Sequence, residues 1–262
     1  TNQAAGNTAD RNNLKQISLG MFNYINAYRR LPQPPPDGAL LSWRVSLLPY
    51  LDAQDLYRQF KLDERWDSPH NKALIPQMPE VFKDARITEP GKTTYRAIAG
   101  PGTPLFNLGL YECELHFQLL ESAIRPNTNY SVRVRVKTKA NTETRHQYSF
   151  SGQDLKKLNG VLKLTFHGLP DPAPIGLREI TDGTSNTILV VQSGVDKADF
   201  WTKPDGLPLV LNNPLPALGQ VPDEGFLALF ADGQVRMIPK TLPPDLLLRL
   251  FQFNDGQPVP KF

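Results

Sequence analysis

The sequence predicts an α+β protein in which a long N-terminal helix packs on an antiparallel β-sheet. An apolar stripe with helical spacing lies near the start of the chain, and two apolar runs flank Asp232 and Gly233 near its end. Between them, residues 130–139 alternate between apolar and basic side chains, which is typical of a strand with one buried face. The 25 prolines in 262 residues further predict short helices joined by long proline-rich loops.

The first element is a helix predicted over about residues 8–29. Its apolar residues recur at alternating spacings of three and four, so they share one face, which Leu19, Phe22 and Ile25 widen. Such a face must be buried against another element, and the antiparallel sheet is the expected partner. The residues predicted to form this packing and assembly face are Leu14, Ile17, Met21, Tyr24 and Tyr28.

Short elements and turns are predicted along the rest of the chain. Residues 42–51, 52–60 and 68–75 have the pattern of short helices, and Ser42 and Ser68 are good N-caps for the first and the third. A hairpin is predicted over about residues 225–238, with Asp232 and Gly233 as a two-residue turn. A final helix is expected over residues 243–251.

A separate β module is predicted inside the main domain. Residues 107–170 contain nine basic and five acidic residues, and their period-two patterns predict about four antiparallel strands. Residues 1–106 and 171–262 are then the halves of one α+β domain, and 107–170 is an insertion. The basic row on this module is Arg133, Arg135, Lys137 and Lys139.

Two interpretations of this basic row stay open. It is either the solvated face of a half-buried strand, where like charges discourage edge pairing, or a surface for an acidic glycan or a neighbouring subunit. The net charge of +3 is too weak to predict a nucleic-acid binder, which usually has a dense basic face with aromatic residues.

The sequence contains no pattern that predicts catalysis, so we expect a protein that is not an enzyme. The four histidines lack zinc-type spacing, and Ser185 does not lie in a nucleophile elbow. Cys113 is the single cysteine and excludes an intramolecular disulfide. Asp182 and Asn186 are weak candidates for calcium ligands; an Asx turn is the alternative. The three tryptophans either pin loops to the core or form a platform for glycans.

No apolar run approaches the roughly 20 residues of a membrane span. The first residues also lack the basic and apolar regions of a signal peptide. The chain is therefore expected to be either cytosolic or a mature or truncated form of an exported protein.

Seven short motifs occur in the order that identifies a known family. They lie at residues 12–17, 42–50, 66–71, 94–102, 182–187, 201–204 and 230–233. In this order the chain resembles a family of unknown function, abundant in planctomycete bacteria, whose members carry prepilin-type leaders. The resemblance covers roughly residues 9–104 and 174–250. The chain differs from the family pattern in lacking the leader and in containing residues 107–170.

The resemblance implies a pilin-like fold and an exported protein at the cell surface, in the periplasm or outside the cell. The first helix is then the soluble half of a pilin spine, and the membrane is contacted only through an apolar segment that precedes Thr1. The expected function is a non-enzymatic structural subunit of a cell-surface filament or pseudopilus-type assembly. Its partners are further copies or other pilin-like subunits, and the β module serves contacts between subunits or with the surroundings. The resemblance also allows calcium in a loop, as in some pseudopilins. The alternative is a periplasmic or cell-surface binding protein for a small solute or glycan.

Overall fold

The computed structural model describes residues 2–33, 40–116, 129–137, 143–151, 161–170 and 175–260, with side chains described for 8–33, 40–106 and 175–260. The long helix α1 spans Asn2–Tyr28, which confirms the predicted leading helix and extends it toward the N-terminus. The shorter α-helices are α2 Trp43–Leu47, α3 Gln54–Gln59, α4 Pro69–Lys72 and α5 Pro244–Phe251. The 3-10 turns include Leu48–Tyr50, Ile75–Gln77, Glu80–Phe82 and Thr184–Asn186.

In the described residues, the strands form two four-stranded sheets and two two-stranded sheets. Their bounds are β1 Lys92–Thr93, β2 Tyr95–Arg96, β3 Ile98–Gly100, β4 Phe106–His116, β5 Asn129–Lys137, β6 Glu143–Ser151, β7 Val161–Pro170, β8 Ile188–Gln192, β9 Asp199–Phe200, β10 Leu207–Pro208, β11 Phe226–Phe230 and β12 Val235–Ile238. The central sheet has the order β12-β11-β8-β2 and is antiparallel throughout. The α+β class predicted from the sequence is confirmed.

Helix α1 lies on one face of the central sheet, as the apolar stripe predicts. It packs on β11 and β12 and on the 3-10 turns Leu48–Tyr50 and Glu80–Phe82. Four residues of the predicted face and Ile25 are buried in this core. Fully burying one such side chain stabilises the fold by about 1.5–3 kcal/mol. The buried residues are Leu14, Ile17, Met21, Tyr24 and Ile25.

Two residues of the stripe are not buried as predicted. Tyr28 is 55% exposed because it is the last helical residue, and its ring lies 4.5 Å from that of Tyr24 at the edge of the core. Leu19 is 65% exposed because its position between Ile17 and Met21 turns it away from the sheet. The apolar face of α1 is therefore narrower than its sequence predicts.

The opposite face of the central sheet is covered by α5. A second core cluster joins Leu247, Leu250 and Phe251 of α5 to residues of β8, β11 and β12. Every residue of β8 and β11 is consequently buried. The sheet is the middle layer between α1 and α5, which explains why β11 is a continuous apolar run and does not alternate.

The C-terminal hairpin forms where the sequence predicts it, but with a different turn. Gly233 donates its N–H to the carbonyl of Phe230 at 3.0 Å, so Ala231 and Asp232 are the central turn residues. Gly233 follows with a φ of +85°, a left-handed conformation that glycine adopts without strain. The turn is thus a three-residue loop with a bulge, and the predicted two-residue turn is wrong.

The remaining strands build a second sheet and a separate ribbon. In the sheet of order β10-β3-β4-β7, β3 pairs in parallel with β4 and β10, and β4 pairs antiparallel with β7. β5 and β6 form an antiparallel ladder with each other. The four strands β4 to β7 lie in the segment for which the sequence predicts about four strands; its status as a separate domain stays a prediction.

Candidate functional site

A carboxylate interrupts the buried face of α1 at Asp10. The Tyr95 hydroxyl donates to Asp10 Oδ1 at 2.6 Å, and Gln192 Nε2 donates to Asp10 Oδ2 at 2.7 Å. Asp10 is only 4% exposed. Since Tyr95 lies on β2 and Gln192 ends β8, this one carboxylate joins α1 to two neighbouring strands of the central sheet.

A second buried carboxylate, Asp84, lies beside the first. Arg86 donates two hydrogen bonds to Asp84, from Nε to Oδ1 at 2.9 Å and from Nη2 to Oδ2 at 2.5 Å. The Thr94 hydroxyl also donates to Oδ2. Gln192 Nε2 also donates to Asp84 Oδ2 at 3.2 Å. The single amide nitrogen of Gln192 therefore bridges the carboxylates of Asp10 and Asp84.

The two carboxylates respond differently to burial. Burial raises the pKa of Asp10, and the nearby charge of Asp84 adds to this, outweighing the hydrogen bonds from Tyr95 and Gln192. Burial would also raise the pKa of Asp84, but hydrogen bonds from Arg86 and Thr94 hold that pKa below its ordinary value. Asp84 is thus a neutralised structural anion, whereas Asp10 is held without a directly bonded cation among the described residues.

A cavity of about 580 Å³ opens beside these carboxylates. Asp10 and Asn13 of α1 line one side of the cavity, and Asp84 also lines it. Apolar walls are formed by Ala9, Pro76, Met78, Ile87 and Pro90. Two ion pairs, between Lys83 and Glu80 and between Lys92 and Glu89, complete the lining. The cavity therefore combines apolar walls with a buried carboxylate.

A groove of about 600 Å³ lies on another side of α1, against the C-terminal hairpin. The α1 side is formed by Arg11, Lys15, Ser18, Leu19 and Phe22, and the hairpin side by residues 232–235. Arg11 Nη1 donates to the Val235 carbonyl at 2.5 Å and fixes the two sides relative to each other. The exposed Leu19 beside two basic residues gives α1 an outward surface that is both apolar and positive.

A buried arginine ties the short helices to the sheet. Arg44 donates from Nη1 to Ser42 Oγ at 2.9 Å and from Nη2 to the Tyr95 carbonyl, and its guanidinium lies 4.6 Å from the Trp43 ring centre. Burial lowers the pKa of Arg44 to about 9, so the side chain stays charged near neutral pH. These contacts indicate that Arg44 has a structural role in the core.

The tryptophans pack within the protein, as the first of the two sequence interpretations predicts. Trp201 is fully buried, stacks on Phe82 with ring centres 5.9 Å apart, and donates Nε1–H to the Ile75 carbonyl at 2.9 Å. Trp43 is also buried, and Trp66 lies 5.7 Å from the Phe200 ring. Trp43 and Trp201 are therefore unsuited to form an exposed glycan platform.

Asp182 and Asn186, the weak calcium candidates, form side-chain hydrogen bonds with backbone groups. Asp182 Oδ2 accepts the N–H of Asp255 at 2.7 Å, and Oδ1 accepts that of Gly256 at 3.0 Å. Asn186 Nδ2 donates to the Asp182 carbonyl at 3.0 Å. Among the described residues, no group of three or more His, Cys, Asp or Glu side chains is placed to hold a metal ion. The loop fastens the C-terminal segment to the end of the sheet.

The predicted basic row lies on β5. Arg133, Arg135 and Lys137 pair across the ladder with residues 147, 145 and 143 of β6. Lys139 lies outside the described residues. The register places Arg135 directly opposite Arg145. The role of this row as a partner surface stays a prediction.

The sequence analysis did not predict the buried pair of carboxylates, Asp10 and Asp84. The signal was present, because Asp10 precedes Leu14, Ile17 and Met21 at the spacing of the buried face. A carboxylate on such a face needs polar partners. Those partners come from residues 84–96 and 192, and no local pattern indicates that they meet Asp10.

Together the fold and these sites define an α+β protein with a long N-terminal helix on an antiparallel sheet. A family model described as "Protein of unknown function (DUF1559)" matches residues 3–222, so the chain belongs to this family. The match ends just before the C-terminal hairpin. No curated protein and no solved structure matches the chain. In the described residues, no helix has the length and apolar character needed to span a bilayer.

Proposed function

We propose that this protein is a non-enzymatic, exported, pilin-like structural subunit of a cell-surface filament or pseudopilus-type assembly. The observation that carries the proposal is the position of α1, a 27-residue helix laid along an antiparallel sheet through one apolar stripe. The family pattern of planctomycete proteins with prepilin-type leaders supports it. In such a subunit α1 is the rear half of a spine whose apolar front half enters the membrane before assembly and the filament core after it.

The outward surface of α1 supports contacts between subunits. Leu19 and Phe22 lie beside Arg11 and Lys15 in the groove against the hairpin. Leu19, which is 65% exposed, and the half-buried Phe22 form an apolar patch beside basic residues, and an apolar patch with a polar rim is a candidate interface. We assign this groove to a second copy or another pilin-like subunit. The β module between residues 107 and 170 would then supply additional subunit or surface contacts.

The proposal is tested with the complete gene product expressed in its own type of cell. Leu19→Glu should abolish surface filaments, because it places a charge in an apolar contact, while leaving the fold of the subunit intact. Gln16→Glu is the matched control, because Gln16 is also exposed on α1 but does not line the groove. Filaments that form equally well with Leu19→Glu would overturn the role of this groove.

The second candidate function is that of a binding protein for a small solute. The cavity beside Asp10 favours it, because a concave site with apolar walls and a few polar groups is the usual form of a small-molecule site. The two functions are compatible, since the cavity and the groove have different linings. Saturable binding of a small molecule to the purified protein is the measurement that tests it.

A further inference from the structure

We propose that the cavity beside Asp10 binds a small organic cation, a primary ammonium group on a short apolar chain, with the Asp10 carboxylate as its counter-ion. This inference rests on the second candidate function and is independent of the assembly function. It follows from the charges that line the cavity, from their partners and from the shape of the walls.

The charges in the cavity lining are balanced except at one position. Lys83 pairs with Glu80, and Lys92 Nζ lies 2.8 Å from Glu89. The third carboxylate, that of Asp84, is held by Arg86. Asp10 is the lining carboxylate that has no ion pair in the described part of the chain; its bonded partners are the neutral side chains of Tyr95 and Gln192.

A cation in the cavity would remove this imbalance. A buried carboxylate bonded only to neutral donors pays a desolvation cost that an opposite charge offsets. Among the described residues, Asp10 Oδ1 and Oδ2 each accept one hydrogen bond, and each oxygen has a further lone pair for another donor. An ammonium group supplies three donors and a full positive charge, which complements the charge and the acceptor oxygens of Asp10.

The rest of the cavity selects an organic cation over a metal ion. Calcium takes six to eight oxygen ligands. Here Asn13 donates its amide N–H to the Tyr95 hydroxyl, and Gln192 donates to Asp10 and Asp84, so these two amides present nitrogen donors and not oxygen ligands. The oxygens of Asp84 are already occupied by the hydrogen bonds from Arg86 and Gln192. The proline, methionine and isoleucine walls favour an apolar body attached to the charged group. A volume of about 580 Å³ accommodates a chain of several carbon atoms.

The test is a titration of the purified protein, followed by the thermal midpoint and by amide chemical shifts. The probe is butylammonium chloride at up to roughly 20 mM, well above a millimolar dissociation constant. Butanol and sodium butyrate are probes of the same length without the positive charge, and calcium chloride tests the metal alternative. We expect butylammonium alone to raise the midpoint and to shift amides near residues 10 and 84–92.

Two variants assign the effect to the site. Asp10→Asn should weaken butylammonium binding about tenfold or more, because a charge-assisted hydrogen bond is lost, whereas the exposed Asp63→Asn should leave it unchanged. Ala85→Phe enlarges a residue of the cavity lining and retains Asp10. It should abolish binding, and it keeps the test valid if Asp10→Asn does not fold. Equal binding by all variants, no response to butylammonium, or a response to calcium alone would overturn the proposal. Failure here leaves the filament test unaffected.

Discussion

Gln192 Nε2 lies 2.7 Å from the carboxylate of Asp10, although 182 residues separate the two in the chain. This contact connects the first helix to the end of a central strand and brings the Asp84 carboxylate into the same network. It places a titratable group within the interface between α1 and the sheet. The stability of that interface is therefore expected to depend on pH.

Asp10→Asn should flatten the pH dependence of stability above about pH 4, the unfolded pKa of an aspartate. Burial raises the pKa of Asp10 in the folded protein above the unfolded value near 4. The folded state then binds the proton more tightly, so the contribution of Asp10 is fully present below the unfolded pKa and is lost as pH rises through the folded pKa.

Thermal unfolding at several pH values checks this. Asp84 does not interfere with this measurement, because its pKa in the folded protein lies below the ordinary value. Its contribution to stability is therefore lost only at lower pH, as the pH falls through that folded pKa. Wild type should lose stability relative to Asp10→Asn as the pH rises above about 4. A constant difference between the two proteins across this range would contradict the assignment.

Arg86→Ala should destabilise the protein by about 3 kcal/mol, because it leaves the buried Asp84 carboxylate without its cation. The chain offers a matched control in Arg65, which grips Asp67 with the same two-residue spacing and two donors at 2.9 and 3.2 Å. That pair is exposed, so Arg65→Ala should have little effect. Urea unfolding of both variants gives the comparison; equal losses would refute the buried role of Asp84.

The packing face of α1 can be tested by two truncations. Ile17→Ala should cost about 2–5 kcal/mol, because it opens a cavity in the core between α1 and the sheet. Leu19→Ala should change stability by less than about 0.5 kcal/mol, because its side chain is mostly exposed. Urea unfolding of both variants measures these two changes in the free energy of unfolding. A large loss at Leu19 would mean that the orientation of α1 is wrong.

Asn71→Asp should destabilise the loop between α3 and α4 by about 3 kcal/mol. The amide nitrogen of Asn71 donates to the carbonyls of Lys61, Glu64 and Arg65 at 2.9–3.1 Å. A carboxylate in that position removes both N–H donors of the amide nitrogen and faces three carbonyl oxygens. Asn12→Asp on the exposed side of α1 is the control, and similar unfolding midpoints for the two variants would contradict the assignment.

The elements that sequence could predict are those controlled by local patterns. The stripe of α1 and the caps of α2 and α4 depend on neighbours a few residues away; Ser68 Oγ, for example, accepts the N–H of Asn71 at 3.1 Å as its position predicts. The hairpin is recognised from its flanking apolar runs, but its turn is shifted because Gly233 takes the left-handed position after Asp232.

The candidate site could not be predicted in the same way, since its parts are distant in the chain. Asp10, Asp84 and Gln192 lie in three segments that only the completed fold brings together. The parallel pairing of β3 with β4 and β10 is likewise set by loop paths and not by any periodicity. The exposure of Leu19 depends on which side of the helix the sheet covers, which the composition of the stripe leaves open.

The proposed assembly function can be tested by electron cryomicroscopy of surface material sheared from cells that produce the complete gene product. We expect filaments or short pseudopilus-like fibres in which α1 lies toward the axis and the groove at Leu19 contacts a neighbouring subunit. A protein recovered only as a dispersed monomer, or fibres with α1 on the outside and the groove empty, would contradict it.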